Sequence, residues 1–423
     1  MVQTAPLFRS VVGSMGHYDL PLALKHSPVP KVEHFALLAG LEAAVRGMLV
    51  SAMPLAVYQS LGDAQMTSVA YLAAGFVALF CGLMVPAVTR FVPRRWTYTG
   101  GAALYLVGTA LAVSGTPLTI SLALICNAMA TATVFICLNA YVLDYVERTR
   151  LGHSQGVQMA YAAIPWAVGP VLGVWLHHQW APAPFLLSGF FALVLIGVFW
   201  WLRLGNGRQI SRARRPAVNP LGFLSRFLGQ PRLIAGWTFA VMRSCGWWVY
   251  IVYLPIYCVQ SGLSDKTGGI VLSVSNTFLF LAPAINRAAR RFSVRRSVRL
   301  AFLAGGGLML AAAMLSVLPW VAVALCLAAS FCFVTLDVVG GLPFLMSVKP
   351  SERTEMAAVY ASFRDVSGIL TPGIAWLILF FAPVPGIFVV AGLGFLGCWW
   401  IAGALHPRLG VERPSRGGGD QIS

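Results

Sequence analysis

The sequence predicts an all-α, polytopic membrane protein whose twelve transmembrane helices form two six-helix bundles. Three observations carry that expectation: an extremely apolar composition, apolar runs that recur at bilayer length, and a second half that repeats the first. Of 423 residues, 58% are hydrophobic and 10% charged, with a mean hydropathy of +0.77. Those values lie far from a soluble globular domain.

An α-helix rises about 1.5 Å per residue, so about 20 apolar residues cross a hydrocarbon core of about 30 Å. The first half offers six such runs, at 34–59, 67–88, 97–114, 118–143, 157–176 and 185–202. The second half offers six more, at 233–259, 268–285, 298–317, 320–347, 356–381 and 386–405. The implied organisation is an N-terminal arm (1–31), a first bundle (32–203), a linker (204–231), a second bundle (232–406) and a C-terminal tail (407–423). The opening "MVQTAPLFRSVVGSMGHYDL" lacks a basic flank followed by a continuous apolar core, so no secretory signal is expected there. The eight cysteines fall inside the predicted spans, and no disulfide or metal chemistry is expected of them.

The formal charge is +17, and the placement of the 30 basic residues decides what it means. Threading the chain through twelve spans puts 26 of them on the side that holds both termini, the linker and the turns at Arg90–Arg95, Arg148–Arg150, Arg287–Arg299 and Lys349–Arg353. By the positive-inside rule that side is the cytoplasm, in a membrane of the bacterial inner type. The partner of the basic surface is therefore the lipid bilayer and not nucleic acid. Lys266 alone is basic on the other side, and Arg46, Arg243 and Arg364 fall inside spans. The connection from Arg203 to Arg232 carries seven arginines, and its stretch Asn219–Leu228 is expected to lie in the interface with Leu221, Phe223, Leu224 and Phe227 toward lipid.

An offset of 201 residues superposes Pro54 on Pro255, Gln59–Ser60 on Gln260–Ser261, and "RFVPRR" (Arg90–Arg95) on "RFSVRR" (Arg291–Arg296) without a gap. Halves of six spans each share one topology, so they are parallel repeats about an axis along the membrane normal.

Twelve spans, the six-plus-six repeat, a long basic central loop and basic turns after spans two and eight resemble the major facilitator superfamily over nearly the whole chain. That resemblance implies alternating access by two rocking bundles, with spans one, four, seven and ten lining a central cavity. In the superfamily the turn after span two usually carries an aspartate and a glycine before two basic residues. Here "PAVTRFVPRR" keeps Arg94 and Arg95 but has Arg90 at the aspartate position and Pro93 at the glycine position. Asp144, at the end of span four, is a candidate acid partner for Arg90. With Arg291, Arg295 and Arg296 these residues form the gating candidates. Span five, "GVQMAYAAIPWAVGPVLGV", places Gly156, Gly169, Pro170 and Gly173 on the spacing of the superfamily's antiporter motif, with Pro165 and Val174 where it has glycines. Gly169, Pro170 and Gly173 are the hinge candidates, and this match favours export by antiport.

Ionisable residues inside spans are costly and tend to face a polar interior. There are six: Glu42 and Arg46 on span one, Arg243 on span seven, Asp337 on span ten, and Arg364 and Asp365 on span eleven. Glu42 and Arg46, four apart, share a helix face and lie roughly 12 and 18 Å from the start of the span. The repeat maps Glu42 onto Arg243, which predicts a central cluster of Glu42, Arg46 and Arg243, with Asp337 as a fourth member. Arginine stays protonated in proteins, so a coupling proton rides on an acid: Glu42 first, Asp337 second, Asp365 third. Arg364 and Asp365 are also candidates for pairing with the cytoplasmic end of a neighbouring helix. Asn127, Asn139 and Asn276 are neutral cavity candidates, and Trp247, one turn from Arg243, is expected to face inward.

No nucleotide-binding signature and no metal-ligand spacing occur in the sequence, which argues against an enzyme or a primary pump. The expected function is secondary active transport of a small organic molecule, without cofactor, by a monomer coupled to H⁺. Proton-coupled export ranks first, uptake of an organic anion by symport second, and a non-transporting sensor or scaffold third.

Overall fold

The computed structural model describes residues 31–146, 151–202, 227–341, 343–344 and 360–404. The expectations for the arm, for the tail and for Leu221, Phe223 and Leu224 lie outside them. Each of the twelve apolar runs has its helix. In the first half these are α1 (Val32–Leu61), α2 (Ala64–Phe91), α3 (Arg94–Val113), α4 (Pro117–Tyr145), α5 (Leu151–Gln179) and α6 (Ala183–Trp201). In the second half, α7 runs from Pro231 to Gln260, and α8 joins Lys266–Thr277, a tight turn at Phe278–Leu281 and Ala282–Phe292. They are followed by α9 (Val294–Met314), α10 (Pro319–Val339), α11 (Phe363–Ile378) and α12 (Pro385–Ala402). Ten of the twelve are long and apolar enough to cross a membrane on their own. The other two are α3, whose first half is diluted by Arg94, Arg95, Thr97, Tyr98 and Thr99, and α11, described over 16 residues.

Sequence punctuation sets the helix ends. Gly62 closes α1 at φ 70°, a left-handed conformation that glycine adopts without a side-chain clash, and Gly262 does the same after α7 at φ 76°. Asp63 then starts α2 by accepting hydrogen bonds from the backbone N–H groups of Gln65 and Met66, each at 3.2 Å. Thr116 and Thr119 cap α4 reciprocally, with Pro117 in the first turn, where its missing N–H costs nothing.

Pro54 and Pro255 are superposed by the repeat, yet they act differently. α1 continues through Pro54 as an α-helix. α7 widens into a π turn at Val249–Tyr253 ahead of Pro255. Proline offers no N–H to the carbonyl one turn back, and a π turn is one way to accommodate it.

Small residues set the closest approach. A Cβ placed on Gly47 of α1 would lie 2.5 Å from the Pro165 carbonyl oxygen of α5, and one on Gly169 would lie 2.5 Å from the Gly47 carbonyl carbon. The two backbones therefore touch, and Ser51 fixes the crossing by donating to the Pro170 carbonyl at 2.6 Å. The sequence-predicted hinge face of α5, Gly169, Pro170 and Gly173, is this contact.

Across the halves, α2 packs on α11, α5 on α8, and α1 on α7. One apolar core joins both halves at the end carrying Gly62 and Gly262, where Met53, Val57 and Tyr71 meet Tyr253 and Ile256. Toward the opposite, basic end the cores separate. Phe35, Tyr98 and Phe199 belong to a cluster of the first half, whereas Leu233 with Phe344, and Val241 with Phe363, form clusters of the second. Phe227, expected toward lipid, is instead buried against Leu233 and Phe344, because its aromatic ring completes that small core.

Candidate functional site

The two halves are tied together by polar contacts at the Gly62 end and in the middle. Ser68 and Tyr253 share a hydrogen bond of 2.9 Å, Ser273 accepts from the Val171 N–H at 2.9 Å, and Asn276 donates to the Trp166 carbonyl at 2.6 Å. His178 Nδ1 lies 3.4 Å from Asp265 across the same seam. Toward the basic end each half keeps its own core. The charged groups of the spans therefore lie between the end where one core joins the halves and the end where each half has its own.

In the first half, Arg46 and Glu42 pair at 3.1 Å along one helix face, as their spacing of four dictates. Glu42 is the inner member, its side chain 12% exposed against 35% for Arg46. The Tyr105 hydroxyl of α3 lies 3.4 Å from Glu42 and 3.0 Å from Thr131. The Arg46 guanidinium stands over the Trp166 ring at 5.3 Å, a cation–π contact.

In the second half, Arg243 Nε lies 2.9 Å from Asp337 Oδ1, and Trp247 Nε1 donates to Asp337 Oδ2 at 2.8 Å. Here the arginine is the inner member at 12% exposure and the acid the outer at 30%. Phe363 packs under Arg243 at 5.1 Å, and the Tyr360 hydroxyl also reaches its guanidinium. Among the described residues, each half thus carries one acid–arginine pair in mid-span with an aromatic donor aimed at the acid.

The expected grouping of Glu42, Arg46 and Arg243 with Asp337 divides into two pairs. Glu42 stays with Arg46, and Arg243 is held by Asp337, which becomes a principal partner instead of a fourth member. A contact within one bundle costs less ordering than one across a water-accessible gap, so each charge takes its local partner. The offset of 201 relates Glu42 to Arg243 and Arg46 to Trp247, so the repeat preserves two positions one turn apart while changing what they carry.

Arg364 and Asp365 form no ion pair with a neighbouring helix among the described residues. Arg364 reaches across to α4, 4.8 Å over the Phe135 ring, with Phe363 at 5.9 Å. The charges of Arg46, Arg243, Asp365 and Asp337 all act on it. Asp365 is exposed one position further along the helix.

Of the asparagines, Asn276 is half-buried and joins α8 to α5 through its bond to Trp166. Asn127 donates to the Ala123 carbonyl of its own helix at 3.0 Å and sits against Gly108 of α3. Asn139 is half-buried on α4. Asp144 pairs with Arg94, not with Arg90; Arg94 starts α3 beside α4 and also lies over Tyr141 at 5.2 Å, whereas Arg90 is exposed at the end of α2. Arg295, the repeat mate of Arg94, donates to the Gly403 carbonyl at the end of α12, and Arg291 and Arg296 are exposed. The Ser68–Tyr253, Val171–Ser273 and His178–Asp265 contacts escaped the sequence reading, because single hydroxyl and imidazole groups in apolar runs carry no periodic signal.

Residues 35–372 match the profile of the family described as Major Facilitator Superfamily. Among solved structures, the chain is similar to a mutant form of the nucleoside transporter NupG. The TM-score is 0.71 and the identity 12%, over 88% of this chain and 99% of that one. A structure described as a bacterial metal transporter is similar with a TM-score of 0.61 and 14% identity, over 89% of this chain and 98% of that one. No curated protein matches the sequence. At such identities the likeness concerns the fold.

Proposed function

The chain belongs to the major facilitator superfamily and is a membrane transporter, and on that premise we propose that it is a proton-coupled secondary transporter that moves a small organic anion together with H⁺. The observation that carries this reading is the pairing of the intramembrane acids: Glu42 holds Arg46, and Asp337 holds Arg243. Protonating either acid removes an arginine's negative partner and leaves the guanidinium for an anionic substrate. By linkage the anion then favours the proton as much as the proton favours the anion. A cationic substrate would instead compete with the proton for the carboxylate. Asp337 is the first carrier, being the more exposed acid, with Glu42 second.

The basic end, by its charge, faces the cytoplasm with both termini, so the separated cores correspond to an inward-facing state. Transport proceeds by rocking of the bundles on the α2–α11 and α5–α8 seams. Export by antiport is the second reading, favoured by the Gly169–Pro170–Gly173 face of α5. That face is also the packing contact with α1, a role that serves either direction.

Liposomes containing the full chain and an internal pH-sensitive dye test this. Under an imposed proton gradient, an organic anion is expected to enter with protons. Opposite movement of proton and compound establishes antiport, and substrate flux that leaves the dye unchanged excludes proton coupling.

A further inference from the structure

Among the described residues, Arg46 and Arg243 each have a carboxylate in contact, and Arg364 has none. Its contacts are two phenyl rings, and at longer range the charges of Arg46, Arg243, Asp365 and Asp337 act on it. Asp365 is adjacent in sequence, and adjacent residues on a helix point about 100° apart, which leaves it outside contact distance. The guanidinium is exposed, on a helix of one half, against a ring from the other. Water supplies its solvation while the bundles are apart. When they close that water leaves, and an uncompensated charge in a low-dielectric interior is strongly unfavourable.

We infer that Arg364 anchors the anionic group of the substrate, and that the substrate is an amphipathic monoanion: one carboxylate on a flat, apolar body. The inference rests on the anionic-substrate reading above and names its substrate class. Phe135 and Phe363 contact the guanidinium through their π-faces, which provide no in-plane acceptor. The N–H fork of Arg364 stays free for a bidentate carboxylate. Phe135 is 43% exposed beside it, and Trp166 stands over Arg46, so a flat ring carried by that carboxylate has aromatic surfaces to lie against. A single negative charge satisfies the one intramembrane arginine that, among the described residues, has no carboxylate in contact. The same arrangement discourages leak, because an empty carrier that closes must dehydrate Arg364 unpaired.

The test uses purified full-length protein in nanodiscs and isothermal titration with benzoate, benzamide and benzylamine, which share a ring and differ in charge. Benzoate is expected to bind wild type and the other two not to. Arg364→Gln is expected to weaken benzoate at least about ten-fold, and Arg364→Lys to retain part of the affinity. Should Arg364→Gln fail to fold, Phe135→Ala, which leaves the guanidinium in place, is expected to weaken benzoate about three- to five-fold. Equal benzoate affinity in wild type and Arg364→Gln would overturn the anchor while leaving the anion reading intact. Binding of benzylamine in place of benzoate overturns both. Binding of none of the three overturns the aromatic monocarboxylate class.

Discussion

The two acid–arginine pairs occupy corresponding places in the two halves and are built inside out relative to each other. Glu42 and Arg46 lie on one helix, with the acid inside and the arginine toward the cavity. Arg243 and Asp337 come from α7 and α10, with the arginine inside and the acid toward the cavity. The difference has a mechanical meaning. Breaking the first pair frees a side chain but releases no helix, whereas breaking the second removes a tie between two cavity-lining helices. In the proposed mechanism, protonation of Asp337 is therefore the event that would both reach water and change what holds the second bundle.

The largest effect that follows is on coupling. Asp337→Asn is expected to lower proton-coupled flux by roughly 100-fold, the scale on which a positioned proton-transfer group matters. Glu42→Gln is expected to lower it about five-fold. Side-by-side dye measurements in liposomes check this, and a Glu42 variant as damaged as the Asp337 variant would break the asymmetry and return the first place to α1.

The fold was legible because its cause is one-dimensional. Apolar length, loop charge and the Pro54/Pro255 register are all properties of consecutive residues, and they located each of the twelve helices, with ends up to about eight residues off. Pairing across helices is not of that kind. The sequence placed Glu42 and Arg46 together because four residues is one helical turn, and it found all six intramembrane charges because each is an exception to an apolar background. It grouped Arg243 with both acids without saying which one it would meet, since the repeat reports equivalent position and not side-chain direction. It also gave Asp144 to Arg90 when Arg94, at the start of α3, is the arginine that α4 meets. The Ser68–Tyr253 seam left no trace, because a serine in a membrane helix also satisfies itself on its own backbone, as Ser68 does with the Ala64 carbonyl.

A second way to sharpen the comparison is stability. Removing one partner of a buried pair leaves an uncompensated charge and typically costs about 3 kcal/mol, whereas a pair reached by water contributes below about 1 kcal/mol. Arg46→Gln orphans the acid at 12% exposure and Arg243→Gln the acid at 30%, so both are expected to lower the thermal unfolding midpoint in detergent, Arg46→Gln the more. Double variants sharpen this: Asp337→Asn should restore part of the loss caused by Arg243→Gln, because it removes the orphaned carboxylate. Equal midpoints for the two single arginine variants would mean that burial does not distinguish the pairs.

The smallest expected effect concerns the aromatic donors. Trp247 gives Asp337 Oδ2 a hydrogen bond of 2.8 Å while Arg243 occupies Oδ1, so each oxygen has its own partner. Tyr105 stands 3.4 Å from Glu42 and nearer to Thr131, at 3.0 Å. A hydrogen bond inside a membrane protein is worth about 1 kcal/mol, and one stretched to the limit of contact much less. Trp247→Phe keeps an aromatic ring and deletes the donor, so it is expected to lower coupled flux about three- to five-fold. Tyr105→Phe is expected to stay within about two-fold, since the Thr131 hydroxyl can turn to its own helix. The informative outcome is the reverse order. If Tyr105→Phe were the more damaging, the weakly contacted acid would be the one whose donor matters, and the site of proton exchange would lie on α1 with Glu42.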